Sequence, residues 1–154
     1  MATHQLDFQI ASDSKNIPTP EEFHYWADTV LVNQPESCEL VVRVVDEVEM
    51  SALNEAYRHK SGPTNILSFP FEKPQGLTLE FDLLGDLVIC APVLEKEALE
   101  QGKRLEQHWA HIFVHGILHL LGYDHVIDAE AEEMEALEIE ILLKLQISNP
   151  YQEQ

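Results

Sequence analysis

The sequence predicts an α+β (α/β-like) fold in which a small mixed β-sheet of about four strands packs with about five helices. Three observations carry this expectation. Short β-branched or alternating runs recur between longer amphipathic stretches. Capping residues, prolines and glycines punctuate the boundaries between them. Of the 154 residues, 45% are hydrophobic, which suffices for one core at this length, so residues 1–154 read as a single domain.

Leu6 to Ile10 alternates apolar and polar residues and reads as a strand. Thr19-Pro20-Glu21-Glu22 supplies an N-cap, a proline at the first helical position and a capping-box glutamate, opening a helix from Phe23 to about Val32. Leu40-Val-Val-Arg-Val-Val is β-branched and continuous enough for a buried strand. Asp46-Glu47-Val48-Glu49 fits a second cap, with a helix through about Tyr57 that Ser61-Gly62-Pro63 breaks. Ile66-Leu-Ser-Phe-Pro-Phe is a short strand, and Pro70 places it at a sheet edge. Leu83 to Cys90 is a further strand, and Pro92 starts a helix to about Gln101. The most apolar helix runs from Leu105 to Leu121, with Gly122 as a left-handed stop. A last helix from about Asp128 to Leu145 carries seven carboxylates between Asp128 and Glu140. Met134, Leu137, Ile141 and Leu145 give it one buried stripe.

Composition excludes several classes. Nine Lys and Arg against 28 Asp and Glu give 9 − 28 = −19, a field that repels nucleic acid and anionic membrane at long range. A polyanionic substrate must therefore meet a local basic patch, a bound cation or a helper protein. No apolar run approaches the ~20 residues of a membrane span, and the N-terminal residues lack a secretory pattern. Cys38 and Cys90 are far apart and outside any Cys-x-x-Cys pair, which fits a reducing, cytoplasmic location.

Chemistry concentrates in a stripe of histidines. His108, His111, His115 and His119 share one face of the apolar helix, within an arc of roughly 80° at helical periodicity. His115 and His119, one turn apart, can converge on one ion at about 2.0–2.1 Å each. The string His115-Gly-Ile-Leu-His119-Leu-Leu-Gly122-Tyr-Asp-His125 adds a third imidazole after the glycine stop, the ligand spacing of the metzincin metallopeptidases. Those enzymes place a general-base glutamate directly after the first histidine; here that residue is Gly116. Three neutral imidazoles with an open position are the pattern of a catalytic metal, which activates water and polarises a carbonyl or phosphoryl oxygen. The pattern argues for a hydrolase without saying which bond breaks. Asp124 reads either as a carboxylate orienting a ligand imidazole or as a turn residue. His108 and His111 read as packing residues or outer partners of the ligands.

The other dense patch runs from Leu53 to Pro70. Arg43, Arg58, Lys60 and Lys73 fall within residues 43–73, and Arg58 and Lys60 flank a turn rich in hydroxyl and amide groups. Such a turn suits phosphate contacts; cations at a helix C-terminus that complement its dipole are the alternative.

The histidine string, Tyr57-Arg58 and Pro63-Thr-Asn-Ile-Leu-Ser-Phe-Pro together resemble the YbeY endoribonucleases of bacteria. The similarity extends through Leu84-Gly85-Asp86-Leu-Val-Ile and Glu130-Ala-Glu-Glu-Met-Glu, covering most of residues 40–145. The resemblance implies a zinc-dependent, single-strand-specific endoribonuclease. It would act in ribosomal RNA maturation, notably at the 3′ end of the small-subunit (16S) RNA, and in ribosome quality control. It implies one Zn2+ per chain on His115, His119 and His125, and a functional requirement for Arg58. Implied partners are RNA, small-subunit ribosomal proteins and a ribosome-assembly GTPase, with no membrane. Two other readings are a metal-dependent peptidase or amidase, which Gly116 disfavours, and a non-catalytic assembly factor whose metal is structural.

Overall fold

The computed structural model describes residues 4–34, 36–72, 82–123 and 128–151. Among them are four strands and five helices in the order β1 (Gln5–Ala11), α1 (Pro20–Val30), β2 (Cys38–Val45), α2 (Glu47–Arg58), β3 (Ile66–Pro70), β4 (Asp82–Cys90), α3 (Ala91–Gln101), α4 (Leu105–Leu120) and α5 (Asp128–Lys144). The strands form one mixed sheet in the order β1-β2-β4-β3. β1 and β4 lie parallel to β2, whereas β3 pairs antiparallel with β4 and forms an edge. Pro70 ends that edge strand, where its missing N–H is tolerated. No described helix is long and apolar enough to cross a membrane.

The pleat sorts the core. On β2, Cys38, Leu40, Val42 and Val44 are buried in alternation and join Leu87 and Ile89 of β4 against α1, α4 and α5. Phe23 sits at the centre of this larger core, with ring centroids 5.0 Å from Phe113, 5.7 Å from Trp26 and 5.9 Å from Trp109. Each such aromatic pair adds about 0.5–1.5 kcal/mol beyond its buried area. Val45, Val88 and Cys90 point to the opposite face, where Leu67 and Met50 of α2 complete a smaller cluster. β2 is thus central but fully covered on one side; Val41 and Arg43 remain half-exposed.

Local signals explain most boundaries. The Thr19 hydroxyl accepts from the Glu22 N–H at 3.2 Å while the Glu22 carboxylate accepts from the Thr19 N–H at 3.1 Å, so both arms of the capping box form. The expected cap of α2 differs. Asp46 occupies the N-cap but makes no capping bond, because its carboxylate accepts instead from the Ser12 hydroxyl and, at 3.2 Å, from the Asp13 N–H. Glu49 is turned away from the cap by Arg43, whose guanidinium donates two hydrogen bonds to it, at 2.6 and 2.8 Å. That interaction holds the Glu49 carboxyl below its ordinary range and raises Arg43.

A register shift in the β2–β4 pairing bulges β4 at Leu84, so that Leu40 pairs with Gly85. Gly85 has φ +135°, and a Cβ there would collide with the Phe69 carbonyl oxygen and lie 2.9 Å from the Phe71 nitrogen. Because these obstacles are backbone, β3 must move to admit any side chain. Gly85→Ala is expected to destabilise the protein by about 3 kcal/mol or more, measured by urea unfolding; a loss below about 1 kcal/mol would contradict the packing.

Candidate active site

The site forms where α4 crosses the edge of the sheet. Position 116 makes this close approach possible: a Cβ on Gly116 would stand 2.6 Å from Ile66 Cδ1 of β3 and 2.9 Å from Leu87 Cδ2 of β4. The helix therefore lies flush on β3 and β4, and the residues flanking Gly116 are aimed sideways toward the cleft that β3 borders. The residue that replaces the peptidase glutamate faces packed hydrocarbon, not solvent. No catalytic base fits there.

A cleft of about 840 Å³ joins the two sequence patches. Tyr57 and Arg58 line it from the end of α2, Thr64 to Pro70 from the loop and β3, and His111, His115 and His119 from α4. The loop after α2 is held from within: buried Asn54 donates its side-chain amide to the Gly62 carbonyl at 2.8 Å. Tyr57 packs edge-on against Phe69, with centroids 5.1 Å apart. Arg58 is exposed and makes no ion pair with a described residue. Of the other cations between residues 43 and 73, Arg43 is engaged with Glu49, and Lys60 is not among the residues lining the cleft. Lys73 lies outside the described residues. The expected basic cleft thus reduces, among described residues, to Arg58.

His115 and His119 come together as their spacing requires, with Nε2 atoms 3.0 Å apart and centroids at 4.6 Å. His115 Nδ1–H donates to Glu138 of α5, which leaves its Nε2 lone pair directed at His119. Gly122, with φ +104°, closes the C-terminal end of α4, where the Tyr123 N–H donates to the Leu118 carbonyl at 3.0 Å. His125 and Asp124 lie outside the described residues, and among the described residues no cluster of three metal-binding side chains occurs.

Glu138 is the site residue that the sequence pattern hid among solvated carboxylates. It is fully buried, and it also accepts from the Tyr151 hydroxyl; His111 Nε2 stands 3.8 Å from its Oε2. Burial alone would raise this carboxyl, but hydrogen bonds from His111, His115 and Tyr151 outweigh it and bring the pKa down to about 2. Burial, and then the neighbouring Glu138 charge, push the Tyr151 phenol up. Burial also lowers His111, which keeps its imidazole neutral. One signal could have exposed Glu138: it lies four residues after Met134 and three before Ile141, in register with the buried stripe. His108 is a strut. Its Nε2 lies 2.9 Å from Glu97 of α3, whose carboxylate also takes the Asn65 side-chain amide at 3.4 Å and so steadies the cleft loop.

The fold recurs in the solution structure of TM1509 from Thermotoga maritima. That structure matches with a TM-score of 0.58 and 22% identity over 95% of this chain and 99% of the other. The site is thus an imidazole-lined cleft at the edge of a mixed sheet. A family model described as endoribonuclease YbeY matches residues 8–146, and the chain belongs to that family. Its members are hydrolytic endoribonucleases of ribosomal RNA processing.

Two outcomes follow from the packing and the buried charge. Gly116→Glu should cost about 3 kcal/mol or more of stability by forcing an unpaired carboxylate between Ile66 and Leu87, and should confer no peptidase activity; urea unfolding and a casein assay read the two. The folded-state pKa of Glu138 lies below its ordinary value of 4.5, so its stabilisation is complete above that pH and lost as pH falls toward 2. In metal-free protein, Glu138→Gln should flatten this acid limb of the stability profile; an unchanged limb would refute the buried carboxylate's role.

Proposed function

We propose that the chain is a metal-dependent, single-strand-specific endoribonuclease with zinc on His115, His119 and His125, and Arg58 acting on the scissile phosphate. One observation carries the reading: Arg58 and the His115–His119 pair, far apart in sequence, line one cleft. The two described donors, His115 and His119, are spaced for a divalent ion. Two nitrogens bound at about 2.0–2.1 Å in tetrahedral geometry stand about 3.3 Å apart, and the Nε2 atoms here are 3.0 Å apart. The bond from His115 to a buried carboxylate is the outer partner that metal-bound imidazoles commonly have. Family membership supports metal dependence in general terms.

A divalent ion there supplies Lewis acidity toward a phosphoryl oxygen and acidifies water. The chain's own residues do the rest. Glu138 fixes the His115 ring so that Nε2 faces the cleft, and Tyr151 in turn orients Glu138. Arg58 places two or more donors on the phosphoryl oxygens and gains strength as negative charge accumulates in the transition state. His111 lines the cleft wall beside the pair. Tyr57 and Phe69 offer aromatic faces to unstacked bases, which suits single-stranded RNA.

The finer biological assignment rests on the family likeness. The substrate is small-subunit (16S) ribosomal RNA, cut near its 3′ end during maturation and in ribosome quality control. A small-subunit ribosomal protein and an assembly GTPase are its partners in the cytoplasm.

RNA cleavage by metal-loaded, chelator-stripped and zinc-restored protein, beside His119→Ala, tests the reading. Activity should be present, absent, present and absent in that order; indifference to all four conditions would mean another nuclease in the sample. Arg58→Ala should lower turnover by about 10²-fold or more with little change in RNA affinity, and equal losses would remove Arg58 from the transition state.

A further inference from the structure

Arg58 is a single cation in the described cleft of a protein with net charge −19, whereas RNA arrives as a polyanion. A second hollow, of about 400 Å³, adjoins the first. Lys103, Arg104, Gln107, His111, Ser148 and Asn149 are among its walls. His111 lines both hollows, and its ring centroid lies 6.4 Å from that of His115. Pro150 walls the second hollow and Tyr151 the first, so the two spaces meet at His111.

The chemistry of the second hollow is that of a phosphate site. Lys103 and Arg104 are consecutive, on the turn between α3 and α4, and neither makes an ion pair with a described residue. They follow the C-terminal end of α3 and precede the N-terminal end of α4, whose dipole favours an anion. Neutral donors complete the set. The Asn149 side-chain oxygen is engaged by the Tyr151 N–H at 2.8 Å, which leaves its NH2 group for a ligand, and Gln107 and Ser148 add an amide and a hydroxyl.

We propose that this hollow is a phosphate subsite for the RNA strand leaving the active cleft, with Lys103 and Arg104 as its principal contacts. The inference rests on the endoribonuclease reading above and names how that cleft holds a polyanion. The strand runs from Arg58 past the histidine pair, turns at His111, and is gripped again at the α3–α4 turn.

The test measures binding separately from cleavage. Metal-free full-length protein is titrated into a fluorescein-labelled single-stranded RNA of about 12 nucleotides, by anisotropy, across a salt series. Lys103→Gln/Arg104→Gln should weaken binding about tenfold and make the dependence of log Kd on log salt shallower by about 0.7 to 1.4. In the cleavage assay KM should rise more than kcat falls. Lys15→Gln/Lys96→Gln, with the same change in net charge elsewhere, should keep wild-type affinity and slope. The thermal midpoint of the Lys103→Gln/Arg104→Gln variant should stay close to the wild-type value, so that a loss of binding is not a loss of fold. An equal loss in the control pair, or unchanged Kd and slope, would each overturn the subsite while leaving cleavage by wild type intact. RNA bound through these two residues but never cut would support the subsite and defeat the nuclease reading.

Discussion

Everything at this site depends on how closely α4 lies on the sheet. Gly116 has no side chain, and so Ile66 and Leu87 can press against the helix backbone. That contact sets the rotation of α4 about its axis, and the rotation decides where His115 and His119 point. On the opposite flank Trp109 and Phe113 are fully sunk into the aromatic cluster around Phe23. The helix is held from two sides and cannot turn without opening one of them. A loose helix would let the two imidazoles drift apart by more than the few tenths of an ångström that a metal tolerates. Rigid packing here is the first requirement of the chemistry.

A second constraint is electrostatic. Burying a carboxylate is costly unless every lone pair is met. Glu138 is met from three directions, by His115 and Tyr151 and, more distantly, by His111. The arrangement ties α5 and the segment after it to α4, so the acidic helix is part of the site and not a remote solvated face. Most of its other carboxylates, among them Glu130, Glu132, Glu133 and Glu135, face solvent. One residue of an acidic run has thus been turned inward and given a separate task.

The sequence was most legible where structure is decided locally. The capping box at Thr19, the prolines at positions 20 and 92, the glycine stop at 122 and the proline at the sheet edge each act within a few residues, and the elements begin and end where they direct. The meeting of His115 with His119 is equally local, a matter of one helical turn. What could not be read depends on partners far along the chain. Ser12 takes the Asp46 carboxylate from 34 residues away, and Arg43 draws Glu49 off the helix end. Strand order required the folded sheet; the register of Glu138 with Met134 and Ile141 hinted at its burial, but its partners on α4 appear only in the packed α4–α5 pair. Tyr151 carried no motif at all; its importance appears only when its hydroxyl is found on Glu138.

The edge position of β3 has a consequence for how the cleft tolerates mutation. Ile66 to Pro70 all border the cleft, and among the described residues no strand pairs along the outer side of β3. Part of the surface offered to a ligand is therefore the polypeptide's own amides and carbonyls, at a rim where side chains alternate in and out. Such groups survive almost any codon change. Recognition drawn from them leaves no mark on amino-acid composition, and a lineage can drift toward an ever more acidic exterior without erasing it.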